Sequence, residues 1–114
     1  MQTYNLTKAE KKKVRELMQI GVEKEFAQGL KKVSKIVADW ENSKTENRDA
    51  YHKIYDFMGK HRKSMAKRYD DIRGGDYIFF VAELLANKII DEEDMEEFRD
   101  ETKARIYMLA GYDE

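Results

Sequence analysis

No proline interrupts this chain, and its apolar residues recur at every third or fourth position through most of its length. Proline breaks helices because it lacks an amide donor and its ring clashes with the preceding turn. The chain is also rich in Glu, Lys, Ala, Met and Leu, which favour helices, and the alternating pattern of a β-strand does not recur. These features predict an all-α fold.

Helix starts are marked by capping signals. In Thr7–Glu10 and in Ser43–Glu46, a hydroxyl and a carboxylate three residues apart match the capping box, which satisfies unpaired amides at a helix start. Asp76 and Asp91 are expected to cap the two later helices, because a side-chain oxygen at this position accepts from the first-turn amides.

Glycines mark the helix ends. Gly74 and Gly75 are expected to provide a left-handed C-cap, and Gly111 lies just past the last helix. Together these signals predict a single all-α domain over residues 1–114, a bundle of four or five helices. The predicted helices cover approximately residues 8–20, 22–42, 46–73, 77–90 and 92–110.

Two further glycines bear on the first half of the chain. The apolar stripe changes phase at Gly21, so a break or bend is predicted there, with one continuous curved helix as the alternative. Gly29 lies on the apolar arc of the following helix. Because glycine has no side chain and costs about 1 kcal/mol of helix propensity, its position on this arc favours close approach of a neighbouring helix.

Six residues on the helical stripes are expected to be largely buried. An apolar stripe of period 3.6 normally faces the interior of a helical protein. The six residues are Trp40, Met58, Met65, Leu85, Phe98 and Ile106.

The segment from Tyr77 to Ile90 is apolar almost all round, with Phe80 and Leu84 nearly opposite its main apolar face. Such a helix lies either at the centre of a bundle or partly against another chain. Burial within the monomer is the favoured interpretation. The alternative is an oligomer patch at Phe80 and Leu84, in a homodimer, because monomers seldom expose such a patch.

Charge is sorted along the chain. Residues 1–75 contain 18 Lys and Arg against 11 Asp and Glu, whereas residues 76–114 contain 4 against 12. The net charge of −1 therefore hides a basic first part and an acidic last part. Asymmetry of this kind bears on partners and association rather than on fold.

Four acidic residues are candidates for docking a protein partner. Capping and the helix dipole account for the acids of Asp91–Asp94, but not for those expected on the outer face of the last helix. These outer acids are Glu96, Glu97, Asp100 and Glu101. The modest alternative is that they pair with the basic helices of the same chain.

A basic helix around Lys60–Arg68 is the candidate nucleic-acid contact. Its lysines share an arc of about 80°, and a stripe of this kind can track phosphates. They are Lys53, Lys60, Lys63 and Lys67. The alternative is a solvated face on which Asp56 pairs with Lys60, and Lys67 with Asp71, at i,i+4 spacing.

The sequence carries no catalytic, metal or cofactor signature. Two histidines, His52 and His61, are nine residues apart on one predicted helix, which places them on opposite sides. The absence of cysteine excludes a disulfide framework, a thiolate metal site and a cysteine nucleophile. Gly74-Gly75 does not match a phosphate-binding loop. We therefore expect no enzymatic activity and no bound cofactor or metal.

The expected compartment is the cytoplasm, the default for a chain without cysteine. The first residues do not resemble a signal peptide. The longest apolar stretch, Tyr77–Ala82, is far short of the ~20 residues of a membrane span, so no membrane partner is expected.

The resulting hypothesis is a small non-enzymatic interaction protein, namely an adaptor, inhibitor or regulatory subunit that docks on a larger protein partner through charged helix faces. The acidic surface is favoured for this role because its charges exceed what capping requires. One alternative is a nucleic-acid-binding protein that uses the helix around Lys60–Arg68. The other is a structural homo-oligomer built on the Tyr77–Ile90 helix.

Overall fold

A computed structural model describes residues 5–112, and over this range the chain is all-α, as predicted. No β-strand occurs between residues 5 and 112. The four α-helices are α1, Lys8–Glu41; α2, Asn47–Tyr69; α3, Tyr77–Ala86; and α4, Asp100–Leu109. Short 3₁₀ turns at Gly74–Asp76 and Glu92–Met95 precede α3 and α4.

The described residues fall into two compact units. The first unit comprises the chain up to Gly21 together with the chain from Asp71 onward, and the second is Val22–Asp70. Helix α1 belongs to the first unit up to Gly21 and to the second unit from Val22 onward. The single domain over residues 1–114 stays a prediction.

The start of α1 follows the predicted capping box. The Glu10 amide donates to Thr7 Oγ1 at 3.1 Å, and the Thr7 amide donates to Glu10 Oε1 at 3.0 Å. The predicted break at Gly21 is wrong, because α1 runs without interruption over 34 residues. Glycine keeps its backbone donor and acceptor, so it can remain in a helix at a cost of about 1 kcal/mol.

Ser43 lies at the boundary between α1 and α2, but it does not cap α2. Its φ of 60° is left-handed. Its amide donates to the Trp40 carbonyl at 3.0 Å, and the Lys44 amide donates to the Asp39 carbonyl at 2.9 Å. This pair of bonds is a Schellman motif that ends α1. The predicted Ser43–Glu46 capping box is therefore wrong, although it marked the right boundary.

Helix α2 ends earlier than predicted, and an aspartate instead of a glycine takes the left-handed conformation after it. The chain leaves the helix at Asp70, and Asp71 takes the left-handed conformation with φ 59°. Gly74 and Gly75 instead belong to a 3₁₀ turn and have no positive φ. The predicted glycine C-cap at this point is wrong, because an aspartate takes the left-handed position before the glycines are reached.

The predicted helix over residues 92–110 is divided by an extended residue. Asp91 caps as expected, with Oδ1 accepting from the Glu93 amide at 3.0 Å, but it caps a 3₁₀ turn. Arg99 then has ψ 155°, and its amide donates to Glu10 Oε2 at 3.1 Å. A bond to a residue 89 positions away therefore replaces a helical bond, and α4 begins only at Asp100.

Four of the six predicted core residues are buried: Met65, Leu85, Phe98 and Ile106. The prediction is wrong for Trp40 and Met58, whose exposed fractions are 43% and 37%. Thirteen of the fifteen buried apolar residues in the described chain belong to the first unit, where α3 and α4 pack together. The second unit has only two helices, which cover each other on one side and leave the rest of a wide apolar arc open.

Candidate functional site

The four predicted acidic docking residues are all exposed, but they do not share one helix. Glu96 and Glu97 lie in the turn before α4, and Asp100 and Glu101 form its first turn. Their placement on the outer face of one long helix is therefore wrong. The dipole of α4 favours negative charge at its start, which accounts for Asp100 and Glu101. Intrachain cations also engage two members of the group: Lys13 Nζ lies 2.9 Å from Glu97 and Arg99 Nη1 lies 2.7 Å from Glu101.

The four lysines of the basic stripe are exposed on α2: Lys53, Lys60, Lys63 and Lys67. The predicted pair between Asp56 and Lys60 does not form, and none of the four lysines has an ion pair with another residue in the range 5–112. Asp71 lies beyond the end of α2, so helical i,i+4 spacing to Lys67 does not exist. The solvated-face interpretation loses the two pairs on which it rested.

Phe80 and Leu84 are buried within the chain, with exposed fractions of 4% and 0%. The favoured interpretation of the apolar α3 helix is thus confirmed. The alternative, an exposed oligomer patch at these two residues, is wrong. The exposed aromatic residue of α3 is instead Phe79, at 56%.

The second unit is a helical hairpin whose two helices are joined by polar contacts at several levels. Near the turn, Trp40 Nε1 donates to Asn47 Oδ1 at 2.6 Å. Further along, His61 Nε2 lies 3.1 Å from the Glu25 carbonyl oxygen. A carbonyl oxygen can only accept, so Nε2 carries the proton and donates. At the far end Arg68 pairs with the Glu25 carboxylate, which is 9% exposed.

Gly29 provides the close approach that its position predicted. A Cβ placed on Gly29 would lie 2.8 Å from His61 Cε1 and 2.9 Å from His61 Nε2. The imidazole ring therefore occupies the space of the missing side chain, where it also packs against Phe57 with ring centroids 5.4 Å apart. Gly59, in contrast, has nothing within 4 Å of such a Cβ.

This difference gives a matched pair of substitutions. Both Gly29→Ala and Gly59→Ala add the same methyl group and the same gain in helix propensity, about 1 kcal/mol. Only the first displaces His61 and its bond to Glu25, so we expect Gly29→Ala to be less stable than Gly59→Ala by about 1–3 kcal/mol. Urea unfolding followed by circular dichroism measures the difference. Equal stabilities would show that His61 moves aside at no cost.

Large apolar side chains lie exposed on the hairpin, among them Trp40 and Met58, which the sequence predicted to be buried. Leu30 is 68% exposed, Tyr51 73% and Tyr55 72%. With three others they form a surface that we call the hairpin face. Its six members are Phe26, Leu30, Trp40, Tyr51, Tyr55 and Met58.

Three shallow grooves on the hairpin share lining residues and form one continuous strip. The groove of about 600 Å³ between Phe26, Leu30 and Met58 shares Met58 and Arg62 with a groove of about 850 Å³ along α2. That second groove shares Tyr51 and Ile54 with one of about 310 Å³ beside Trp40. All six members of the hairpin face line this strip.

Charged groups are few along the strip and are mostly basic. Three cations line the strip, Lys60, Arg62 and Lys63, compared with two carboxylates, those of Asp56 and Asp70. The three cations form no ion pair with residues in the described range. The strip is therefore lined by apolar side chains together with three cations that have no ion-pair partner in the described range.

The sequence did contain a signal for this surface. The apolar stripe of residues 22–40 spans an arc of roughly 120°, with Leu30 at its edge. A single neighbouring helix covers only part of so wide an arc. Counting the helices available to cover the stripe would have placed Phe26 and Leu30 on the surface.

Within residues 5–112, no three or more His, Asp or Glu side chains are grouped so that they could hold a metal ion. The helices of this range are also too short or too polar to span a membrane.

Comparison of the chain with protein-family models, with curated proteins and with solved structures finds no match in any of the three.

Proposed function

We propose that this chain is a non-enzymatic interaction protein that binds a partner protein through the hairpin face. The observation that carries the proposal is the contrast between the two units. Among the described residues, the first unit buries thirteen apolar side chains and exposes five large ones, whereas the second buries only two and exposes six large ones along a single strip. A cytoplasmic location, expected from the absence of cysteine, is part of the proposal.

The composition of the hairpin face supports protein binding. Trp, Tyr, Phe, Met and Arg are enriched in the cores of protein interfaces, where they bury large areas at low entropic cost. The strip contains all five types, and Arg62 lines the same two grooves as Met58. Single exposed apolar residues are ordinary, but a contiguous group of this size in a monomer marks an interaction site.

The acidic group is now the weaker docking candidate. Glu97 and Glu101 already pair with Lys13 and Arg99, so a basic partner would have to displace these contacts. Asp100 and Glu101 are explained by the helix dipole. Docking through the acidic residues remains a prediction, ranked below docking through the hairpin face.

Affinity capture with a point variant tests the proposal. Leu30→Ser removes the most exposed leucine of the strip, and we expect it to weaken binding of the partner by about 30-fold, the effect of losing an interface hot spot. The measurement is quantitative capture from nuclease-treated lysate of the source cells, with wild type and variant compared band by band. Because Leu30 is exposed, its loss should leave the free energy of unfolding within about 0.5 kcal/mol.

Phe79→Ser is the matched control, since Phe79 is an exposed apolar residue of the other unit. Proteins lost with Leu30→Ser but retained with Phe79→Ser bind the hairpin face. Captured proteins that survive both changes would contradict the proposal.

Nucleic acid is the second candidate ligand, favoured by one observation. Lys60, Arg62 and Lys63, which form no ion pair within the part of the chain that the structure describes, line the same groove as Tyr51 and Tyr55. Exposed aromatic rings among cations can stack bases. In this case nuclease treatment should abolish capture, and neutralising Lys60 and Lys63 should lower the slope of log affinity against log salt by about 0.7–0.9 per contact.

A further inference from the structure

Shape, packing and charge indicate what kind of partner segment binds the hairpin face. This inference rests on the proposed function. We infer that the hairpin face receives a single amphipathic helix with acidic residues along its flank, which completes a three-helix arrangement with α1 and α2.

The length and shape of the strip fit a helix. The strip follows α2 from Tyr51 to Tyr69, which spans about 27 Å at 1.5 Å per residue. Two antiparallel helices leave a groove between them, and a third helix of about 18 residues fills a groove of this length. A strand would need a sheet edge for its backbone hydrogen bonds, and residues 5–112 contain no strand.

Small residues along one wall allow this helix to approach closely. Gly59 and Ala66 are both exposed on α2 and line the strip. A Cβ on Gly59 would meet no atom of the chain within 4 Å, so the position is open to an incoming backbone. Phe26 and Leu30, which line the same groove as Ala66, present the apolar side chains that such a helix would cover.

The positive charge of α2 favours acidic residues on the flank of the incoming helix. Helix α2 carries seven Lys and Arg against two Asp. Its cations Lys60, Arg62 and Lys63 line the strip and form no ion pair with any residue of the described range 5–112. Acidic side chains on the flank of the incoming helix would meet these cations and accelerate association. A second copy of the same hairpin would instead bring two α2 helices of like charge together.

A pair of synthetic peptides tests this inference. Both are fluorescein-labelled helices of about 18 residues with leucines at every third or fourth position; one has glutamates on the flanks and its twin has lysines at the same positions. Fluorescence anisotropy with the full chain should give a dissociation constant about tenfold lower for the glutamate peptide. The preference should shrink as salt is added, because salt screens exposed charges.

Three variants locate the binding. Arg62→Glu combined with Lys63→Glu should remove or reverse the preference for the glutamate peptide. Gly59→Leu should weaken both peptides about tenfold or more by blocking close approach. Circular dichroism checks that this variant stays folded, as the open space at Gly59 leads us to expect. Phe79→Ser should change neither peptide's affinity.

The outcomes separate this inference from the proposed function. Equal affinity for the two peptides would overturn the inference that the flank is acidic. A dissociation constant above about 1 mM for both peptides would overturn the inference that a helix binds here. In either case the Leu30→Ser capture comparison still tests the proposed function. A dimer in sedimentation equilibrium that Leu30→Ser dissociates would show that a second copy covers the strip. Tighter binding of a deoxythymidine oligonucleotide than of either peptide would assign the strip to nucleic acid.

Discussion

Replacing Leu84 with glutamate is expected to unfold the first unit of the protein. Leu84 has no exposed surface and lies in the last turn of α3, so the new carboxylate would be taken out of water. An unpaired buried charge costs more than about 4 kcal/mol, a large part of the 5–15 kcal/mol by which a typical domain is stable. Loss of the helical circular dichroism signal, or of a cooperative urea transition, measures this result.

Phe79→Glu is the control on the same helix. Phe79 is 56% exposed, so glutamate at this position remains in water and the free energy of unfolding should change by only about 0.5 kcal/mol. A folded and equally stable Leu84→Glu variant would show that Leu84 is not a core residue. Conversion of a dimeric wild type into a folded monomer would restore the oligomer hypothesis for α3.

The burial of Leu84 illustrates what local sequence patterns predict well. Helix class, the apolar character of α3 and the start of α1 depend on residues a few positions apart. The Thr7–Glu10 box, the stripe of α3 that contains Leu85 and the stripe of α4 that contains Ile106 all have this local character. Each therefore appears in the structure as expected.

Features that depend on distant contacts were predicted less well. Arg99 is extended because its amide and guanidinium bind Glu10, which is 89 residues away. No local pattern reveals such a partner, and so the last predicted helix was drawn too long. The ends of α1, α2 and α3 have a different cause. Ser43, Asp71 and Lys88 take the left-handed conformation there, although glycine is the residue that normally signals it.

The candidate site was missed for a third reason. The stripes through Trp40 and Met58 were correctly assigned to helices, but a stripe states only that one side is apolar. Whether that side is buried depends on how many helices pack against it. The second unit has two helices, so part of each stripe stays in the open. Sequence periodicity therefore located the hairpin face without revealing that it is a surface.

Protonation of Glu10 is expected to destabilise the protein at low pH. Glu10 is 1% exposed, and burial alone would raise the pKa of its carboxyl group. Hydrogen bonds from the Thr7 amide, the Arg99 guanidinium and amide, and the Thr102 hydroxyl outweigh burial and lower the pKa to about 2, from an ordinary value of 4.5. The fold therefore stabilises the ionised carboxylate of Glu10 relative to its protonated form.

The sign of the pH dependence follows from this lowered pKa. Because the folded-state pKa lies below the unfolded value, the stabilisation is fully present above about pH 4.5 and is lost as the pH falls towards 2. The separation of the two pKa values corresponds to at most about 3 kcal/mol. Urea unfolding of the wild type at intervals between pH 6 and 2 should show the free energy of unfolding falling by this amount, in addition to the fall that a variant without the Glu10 carboxylate also shows.

Glu10→Gln isolates the contribution of this carboxylate. The variant keeps the size of the side chain but loses the charge that Arg99 binds, so at neutral pH it should be less stable than the wild type by about 3 kcal/mol. The difference should narrow as the pH falls, because the wild-type carboxyl becomes neutral as well. Glu96→Gln, an exposed change in the turn before α4, should leave both the stability and its pH profile unaltered. A constant difference between Glu10→Gln and wild type across the whole pH range would mean that shape, rather than charge, holds Arg99 in its extended conformation and sets the start of α4.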